Sequence, residues 1–556
     1  MRKETKLFLL LVMFLSMPVY YFAQSHELAI PSGSYVEDYV KADVNTDGTR
    51  VDADRWYVLE RDGIYFCQSY IENKGYTLRI KAADGSGEIP VVYLLRNPTT
   101  NTTPGRFIRV SGNVELENIA VCGYLEPDVS TMGDMVGGLL QTNSPGFNIT
   151  IDGCILNNSS GNHIRTDSYA SVIKVTNTIF GNMGYLGTSN FGAGKAVDLR
   201  AGQCDTLIIQ NCTFVNGQDR IIRHYGSTSP IKYFKFDHNT VINWMGYHGV
   251  FSLGKVGDEV VMTNNMLFDP FAFGDDQDSV RQTEFTDTGE LDAYGKPKMA
   301  WILTEPNDTT QWTVSNNFYS ISEDCQAFYT KYQSAGLVGE GSPFTDHQKE
   351  RLGAEAAAAA FYKESNTVTK APALMLELLE WYRNPSGGNK TKVTTNWSLA
   401  YDYKRTDWVY LADTLDATYD QSTKAYYGAE NGYPAGDLNW YPTLKTQWED
   451  GIVIGVEEEG TVPAEYSLEQ NYPNPFNPTT QISYTLPKAS IVSLTVFNTL
   501  GQEVAKLVNS QEQAAGKYNV TWNGRNDFNR TLSSGIYFYQ IKTNDFTNTK
   551  KMMFIK

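Results

Sequence analysis

The sequence predicts an all-β protein: a right-handed parallel β-helix with a partly helical flanking region, followed by a C-terminal immunoglobulin-like β-sandwich. Three observations predict it. A short motif recurs between roughly residues 110 and 320. The motif alternates apolar and polar residues with a period of two, as strands do. The last hundred or so residues divide into about seven short strands separated by Pro and Asn-Gly turns.

The recurring segments are LENIAVCG from Leu116, IDGCILNN from Ile151, VTNTIFGN from Val175, IQNCTFVN from Ile209, FDHNTVIN from Phe236 and MTNNMLFD from Met262, with VSNNFYS from Val314 after an insertion. Their equivalent positions Ile119, Cys154, Thr178, Cys212, Asn239, Asn265 and Asn317 lie 35, 24, 34, 27, 26 and 52 residues apart. A period near 25 residues with variable loops is that of a solenoid, and segments so short and so rich in β-branched and aromatic residues exclude helical repeats. One short strand cannot bury its face alone, whereas stacked coils share one core. Asn158, Asn182, Asn216, Asn243 and Asp269 should stack as a ladder at the turns. Cys154 and Cys212 fall two coils apart, so they read as small core fillers rather than a disulfide. All six cysteines are unaccompanied by any CxxC spacing.

Residues 1–25 read as a signal peptide: Arg2, Lys3 and Lys6 precede an apolar run from Leu7 to Met17, then Pro18 and Ala23-Gln24-Ser25. The run is about half the ~20 residues a bilayer requires, so no transmembrane segment is expected in the mature chain. The net charge of −17 argues against nucleic acid or anionic membrane as partners. The organisation expected is a β-helix over 26–330, a helical or irregular flank over 331–455, a linker over 456–463 around Glu457-Glu458-Glu459-Gly460, and a tail domain over 464–556. In the flank, Thr345-Asp346 should cap a helix running through EAAAAAFYKE, and ALMLELLEWYR near 373–383 should form a second. The Tyr- and Trp-rich remainder should lie along the solenoid or cap its open end.

The tail contains Asn471-Tyr472-Pro473-Asn474-Pro475-Phe476, Phe497-Asn498-Thr499-Leu500-Gly501-Gln502 and Ser534-Gly535-Ile536-Tyr537, in that order. It resembles the type A sorting domain of type IX secretion over its full length, which implies export, with that secretion machinery as a partner. The stretch from Asp54 to Tyr93 resembles the opening coils of pectin-lyase-like β-helix proteins. The chain is similar to secreted β-helix proteins of unassigned activity and, more distantly, to the family of chondroitinase B and alginate lyases. That resemblance implies an acidic polysaccharide as partner.

Candidate site residues come from the strands HIRTD, AVDLR, IIRHY and GVFSL. With Ile164, Val197, Ile222 and Val250 inward, one outward row holds Arg165, Asp198, Arg223 and Phe251, and a second holds Asp167, Arg200, Tyr225 and Leu253. Lys195 should stand beside Arg220, with His248 on the next coil. One face therefore collects cations on an acidic protein. A lyase must neutralise a uronate carboxylate and abstract the C5 proton. Lys195, Arg200, Arg223 and His224 are the catalytic candidates, and Arg165, Arg220 and His248 the substrate-binding ones. Arg223-His224-Tyr225-Gly226 resembles the Arg-His-Gly element of chondroitinase-B-type lyases with Tyr225 inserted. The matching lysine position holds Arg200 or a neighbour, Lys195 being the nearest lysine. The same register points His224 inward, as suits a buried structural histidine, and alternating Arg and Asp could equally form a solvated charge ladder. A β-eliminating lyase and a non-catalytic carbohydrate-binding or adhesive surface protein are thus both readings of this face.

Asp43, Asn45, Asp47, Gly48 and Asp54 have the oxygen-ligand spacing of an EF-hand loop, making calcium the only cofactor suggested. No helix is expected beside them, and a polar turn is the competing reading. Asp275, Asp276 and Asp278 read as an acidic surface loop.

Overall fold

The computed structural model describes residues 26–123, 136–184, 192–200, 203–224, 229–282, 285, 291, 295, 298–383, 415–454, 465–526 and 530–555. The signal peptide and the linker over 456–463 lie outside the described residues, as do Tyr225 and Gly226.

Three parallel sheets form a right-handed β-helix. The first runs from Glu27–Ile30 through Trp56–Leu59 to Gln311–Ser315 in ten strands; the second has eight strands from Ile71–Glu72 to Ile302–Thr304; the third has ten, from Ile64–Cys67 to Phe361–Lys363. Neighbouring strands in each sheet come from successive coils, so the core is one column of stacked apolar side chains. Phe180 stacks on Phe214 with ring centroids 4.7 Å apart, and Phe236 meets Phe251 edge-on at 4.9 Å.

The repeat motif is the corner between the first and third sheets. Asn118, Asn177, Asn211, His238, Asn264 and Asn316 occupy it with φ of 51–60°, a left-handed conformation that asparagine tolerates. In the coil where glycine replaces asparagine, a Cβ on Gly153 would stand 2.2 Å from Asn118 Oδ1. The next residue of each motif points inward and builds a ladder. Asn239 Nδ2 donates to Asn265 Oδ1 at 3.2 Å, Asn265 Nδ2 to Asn317 Oδ1 at 2.7 Å, and Asn317 Nδ2 to the Ala360 carbonyl at 3.0 Å. Cys154 and Cys212 occupy the same column as buried free thiols.

A second ladder closes the third-sheet strands. Asn216 Nδ2 donates to Asn182 Oδ1 at 3.0 Å and Asn243 Nδ2 to Asn216 Oδ1 at 3.4 Å, as the spacing predicts. Its lower end differs: Asn182 bonds Asn157 Oδ1 rather than Asn158, whose amide turns to Cys122 Sγ.

Both ends of the core are covered. A helix at Val36–Ala42 seats Val36 and Val40 on the first coil. At the other end Phe344 and Ala360 join the core. Thr345 caps Asp346–Leu352 with a full capping box, but Gly353 ends that helix, and Ala354–Ala359 forms a separate one before the strand Phe361–Lys363. The second expected helix spans Leu376–Arg383. The described part of the aromatic remainder lies along the flank: Leu415, Tyr419, Tyr433, Leu438 and Tyr441 pack on Val215, Ile242, Met266 and Phe318 of the third sheet.

The tail is a sandwich of a three-stranded and a four-stranded antiparallel sheet, beginning at Ser467–Leu468. Trp522 fills its core against Phe476, Tyr537 and Phe554.

Candidate functional site

The second sheet carries the candidate residues. Its outward row reads Glu72, Arg109, Gln141, Arg165, Asp198, Arg223, Ser252 and Leu303 on successive coils. Ile164, Val197 and Ile222 align inward as the alternation requires. Phe251, not Val250, continues that column, so Ser252 replaces Phe251 in the outward row and Leu253 is buried rather than outward. The cause is a turn two residues longer in this coil: Gly217 aligns with Trp244, whereas Ile222 aligns with Phe251. Gly246 and Gly249 take up the extra residues at positive φ.

Within the row, Arg109 lies over the Tyr70 ring at 3.8 Å. Arg165 Nε donates to Asp167 at 2.9 Å, and Asp167 also receives the Gln141 amide. Arg223 faces Asp198 at 3.6 Å, and Asn162 Nδ2 donates to the other oxygen of Asp198 at 3.1 Å. Arg165 and Arg223 are partly exposed. Asp167 therefore turns to Arg165 rather than to Arg200, which is exposed.

Behind the row, three candidates converge on a residue the sequence reading did not single out. Asp219 is fully buried. Its carboxylate sits 3.1 Å from Lys195 Nζ, 3.3 Å from Arg220 Nε and 2.7 Å from His248 Nδ1, and it also accepts the His248 backbone N–H at 3.1 Å. Burial alone would raise its pKa, but Arg220, His248 and Lys195 outweigh that and hold it well below the usual carboxylate range. Burial pulls the Lys195 ammonium down, against the attraction of Asp219. Lys195 also donates to the Gly192 carbonyl. Asp219 was detectable only as the acid beside Arg220; alternation says which side a residue faces, not what covers it.

His224 is buried and shares the inward column with Leu199. Its Nδ1 lies 3.0 Å from the Leu253 carbonyl, and burial lowers its pKa. The candidates thus fall into three groups: Arg165 and Arg223 in the outward row, Lys195, Arg220 and His248 around Asp219, and Arg200 and His224 apart from both.

A further ion network lies where a surface loop was expected. Asp276 is fully buried; Arg383 donates to it, and Arg281 Nη1 stands 3.9 Å away. Arg281 also donates to the carbonyls of Tyr247, Phe273 and Gly274. A strand pairing of Asp275–Asp276 with Leu337–Gly339 draws this segment inside.

The expected calcium loop is organised by arginine. Asp43 Oδ2 accepts from Arg50 at 3.3 Å, Arg55 at 3.1 Å and Tyr57 at 3.0 Å. Asn45 donates to Thr49 Oγ1 and the Arg50 carbonyl, Asp47 caps Thr49, and Asp54 is exposed near Arg79. Two guanidiniums neutralise the Asp43 oxygen that a cation would need, and the geometry is that of a polar turn. Contrary to expectation, the helix Val36–Ala42 runs directly into it. Among the described residues, the group with three mutually close acidic or histidine ligands is instead His26, Asp52 and Asp54, all outside the core.

Residues 470–556 match the model of the secretion system C-terminal sorting domain. No curated protein matches the chain. One solved structure that does is PorZ, described as an essential bacterial surface component of the type IX secretion system of Porphyromonas gingivalis. It is 18% identical, with 16% of this chain and 12% of that one covered and a TM-score of 0.13. The chain spans about an eighth of that protein. Among the described residues no helix is long and apolar enough to cross a membrane.

Proposed function

We propose that this chain, which its sorting domain marks for type IX export to the cell surface or beyond, binds acidic polysaccharide there along the outer face of the second sheet. One observation carries this reading: Arg109, Arg165 and Arg223 stand on every second coil of a single outward row, with Gln141 and Asp198 between. Two coil rises are about 9–10 Å, on the order of the length of a disaccharide. Successive arginines would then meet the same carboxylate of an alternating chain. Guanidinium forks suit carboxylates and sulfates.

Binding is favoured over elimination by where the bases stand. A base must reach the C5 proton. Lys195 is 2% exposed and spends its ammonium on Asp219 and Gly192, and His224 is buried against Leu253. The net charge of −17 repels a polyanion at long range, so the row must act within roughly one Debye length, about 8 Å in physiological salt.

Purified protein titrated with alginate, polygalacturonate and glycosaminoglycans tests this. Affinity should fall with added salt and by about tenfold in Arg165→Ala, while absorbance from unsaturated uronate stays flat. Failure to bind any acidic glycan, or binding indifferent to Arg109→Ala and Arg165→Ala, would overturn the reading. Accumulating unsaturated product would restore the lyase.

A further inference from the structure

The second sheet's outward row begins at Glu72, and a cavity of about 850 Å³ opens beside that residue. Its wall is formed by Tyr70, Ile71 and Glu72 on one side, and by the end of the capping helix with the following turn on the other. Two cations, Lys41 and Lys74, line it against one carboxylate, Glu72, and a third, Arg50, lines it while paired with buried Asp43. A cationic concavity is unexpected on so acidic a chain. Two of its aromatic walls hold guanidiniums in place: Arg50 lies 4.4 Å from the Tyr76 ring centroid, and Arg109, first arginine of the row, 3.8 Å from that of Tyr70. Lys41 Nζ reaches Ser69 Oγ at 2.6 Å and Lys74 Nζ reaches Glu72 at 3.1 Å, yet both lysines are exposed. Exposed contacts of this kind cost little to exchange for a ligand anion.

The cavity also lies where the row stops. Ile71–Glu72 is the terminal strand of its sheet. The helix Val36–Ala42 and the turn closed by the Val44–Arg50 bridge form the cavity's far wall, where a chain laid along the row would meet them. We infer that this cavity is a chain-end subsite, receiving the terminal anionic sugar of the polysaccharide laid along the row. The inference rests on the binding reading above. Tyr70 and Tyr76 give apolar walls for a pyranose ring, Lys41 and Lys74 meet its carboxylate or sulfate, and Glu72 accepts from a hydroxyl.

The test compares short uronate oligosaccharides, rich in ends, with long uronate polymer, in which ends are dilute, using wild type, Lys41→Ala/Lys74→Ala and Arg165→Ala. A parallel set with sulfated oligosaccharides identifies which anion the lysines prefer. The double variant should bind short chains about tenfold more weakly and polymer almost as wild type does, with an unchanged melting temperature. Arg165→Ala should weaken both. Short-chain affinity unchanged in the double variant, with Arg165→Ala still weakened, would overturn the subsite and leave the row standing. Equal weakening of short and long chains by the double variant would overturn the chain-end assignment. No binding of wild type to either would overturn the row and the subsite together.

Discussion

Two sets of charges along the second sheet, one on its strands and one largely in the turns that enter them, behave oppositely. In the outward row, Arg109 and Arg165 are half-covered and face water. Immediately behind it, Lys195, Arg220 and His248 surround a carboxylate with no solvent exposure. The row lies on the strands themselves, whereas Arg220 and His248 sit in the turns that lead into Ile222–His224 and Phe251–Gly254, with Lys195 at the start of its strand; the two sets differ in their cover. His248 packs between Tyr247 and Phe285, and Trp244 Nε1 donates to the Asp219 carbonyl. An exposed ion pair contributes little to stability and stays available to a ligand. A buried one is costly to break and has no charge left to offer.

The largest effect expected from that contrast is the loss of Asp219. Asp219→Ala leaves three cationic or protonatable groups buried without their counter-ion and should cost about 3–5 kcal/mol, read as a collapse of the urea midpoint. A variant that melts like wild type would mean the cluster is hydrated and accessible, reopening Lys195 as a base.

Next in size is a pH effect on the flank. Asp437 is buried where the aromatic segment meets the third sheet, accepting from Thr213 Oγ1 at 2.7 Å and the Asn439 N–H at 2.9 Å. Burial pushes its pKa up to about 7. An unfolded aspartate titrates near 3.9. The folded state therefore holds a proton between about pH 4 and 7 that the unfolded state has released, and its contribution is fully present below that window and lost as pH rises through 7. The shift corresponds to an upper bound on the order of 4 kcal/mol. Asp437→Asn should flatten the fall in stability over this range, measured by denaturant titration at a series of pH values; an unchanged slope would place the titration elsewhere.

The inner ladder should give a smaller change. Asn265→Ala removes the amide between Asn239 and Asn317 and takes from the buried Asn239 backbone N–H its acceptor, Asn265 Oδ1 at 2.8 Å, at about 1–3 kcal/mol. A loss below 0.5 kcal/mol, within the scatter of surface substitutions, would show that coil stacking alone sets this corner. The smallest effect on stability is expected at the row: Arg165→Ala should cost about 0–1 kcal/mol while weakening polysaccharide binding. A large thermal loss would move Arg165 from the available set to the structural one.

Much of this architecture is legible in the residues. The motif positions Cys154, Cys212, Asn239, Asn265 and Asn317 form one column, and Asn182, Asn216 and Asn243 another, because the strand period and the left-handed tolerance of asparagine are local properties. The tail is legible for the same reason: its ordered turn motifs separate strands whose alternation shows one face of each sheet. The seven-residue helix Val36–Ala42 was not legible, being too short to show a period and lacking a side-chain cap. Neither was the register at Phe251, where two glycine turns lengthen one coil.

By itself, then, the sequence determined the export signal in the tail, the coil and its ladders, and the face on which Arg165, Asp198 and Arg223 stand. Only the tertiary structure decided which charges are available. Asp276 meets Arg383, more than a hundred residues away, and Asp219 is closed in by residues of later coils. Alternation fixes the direction of a side chain, but burial depends on which distant segment is laid over it. That cover separates the buried Lys195 cluster from the arginines of the row.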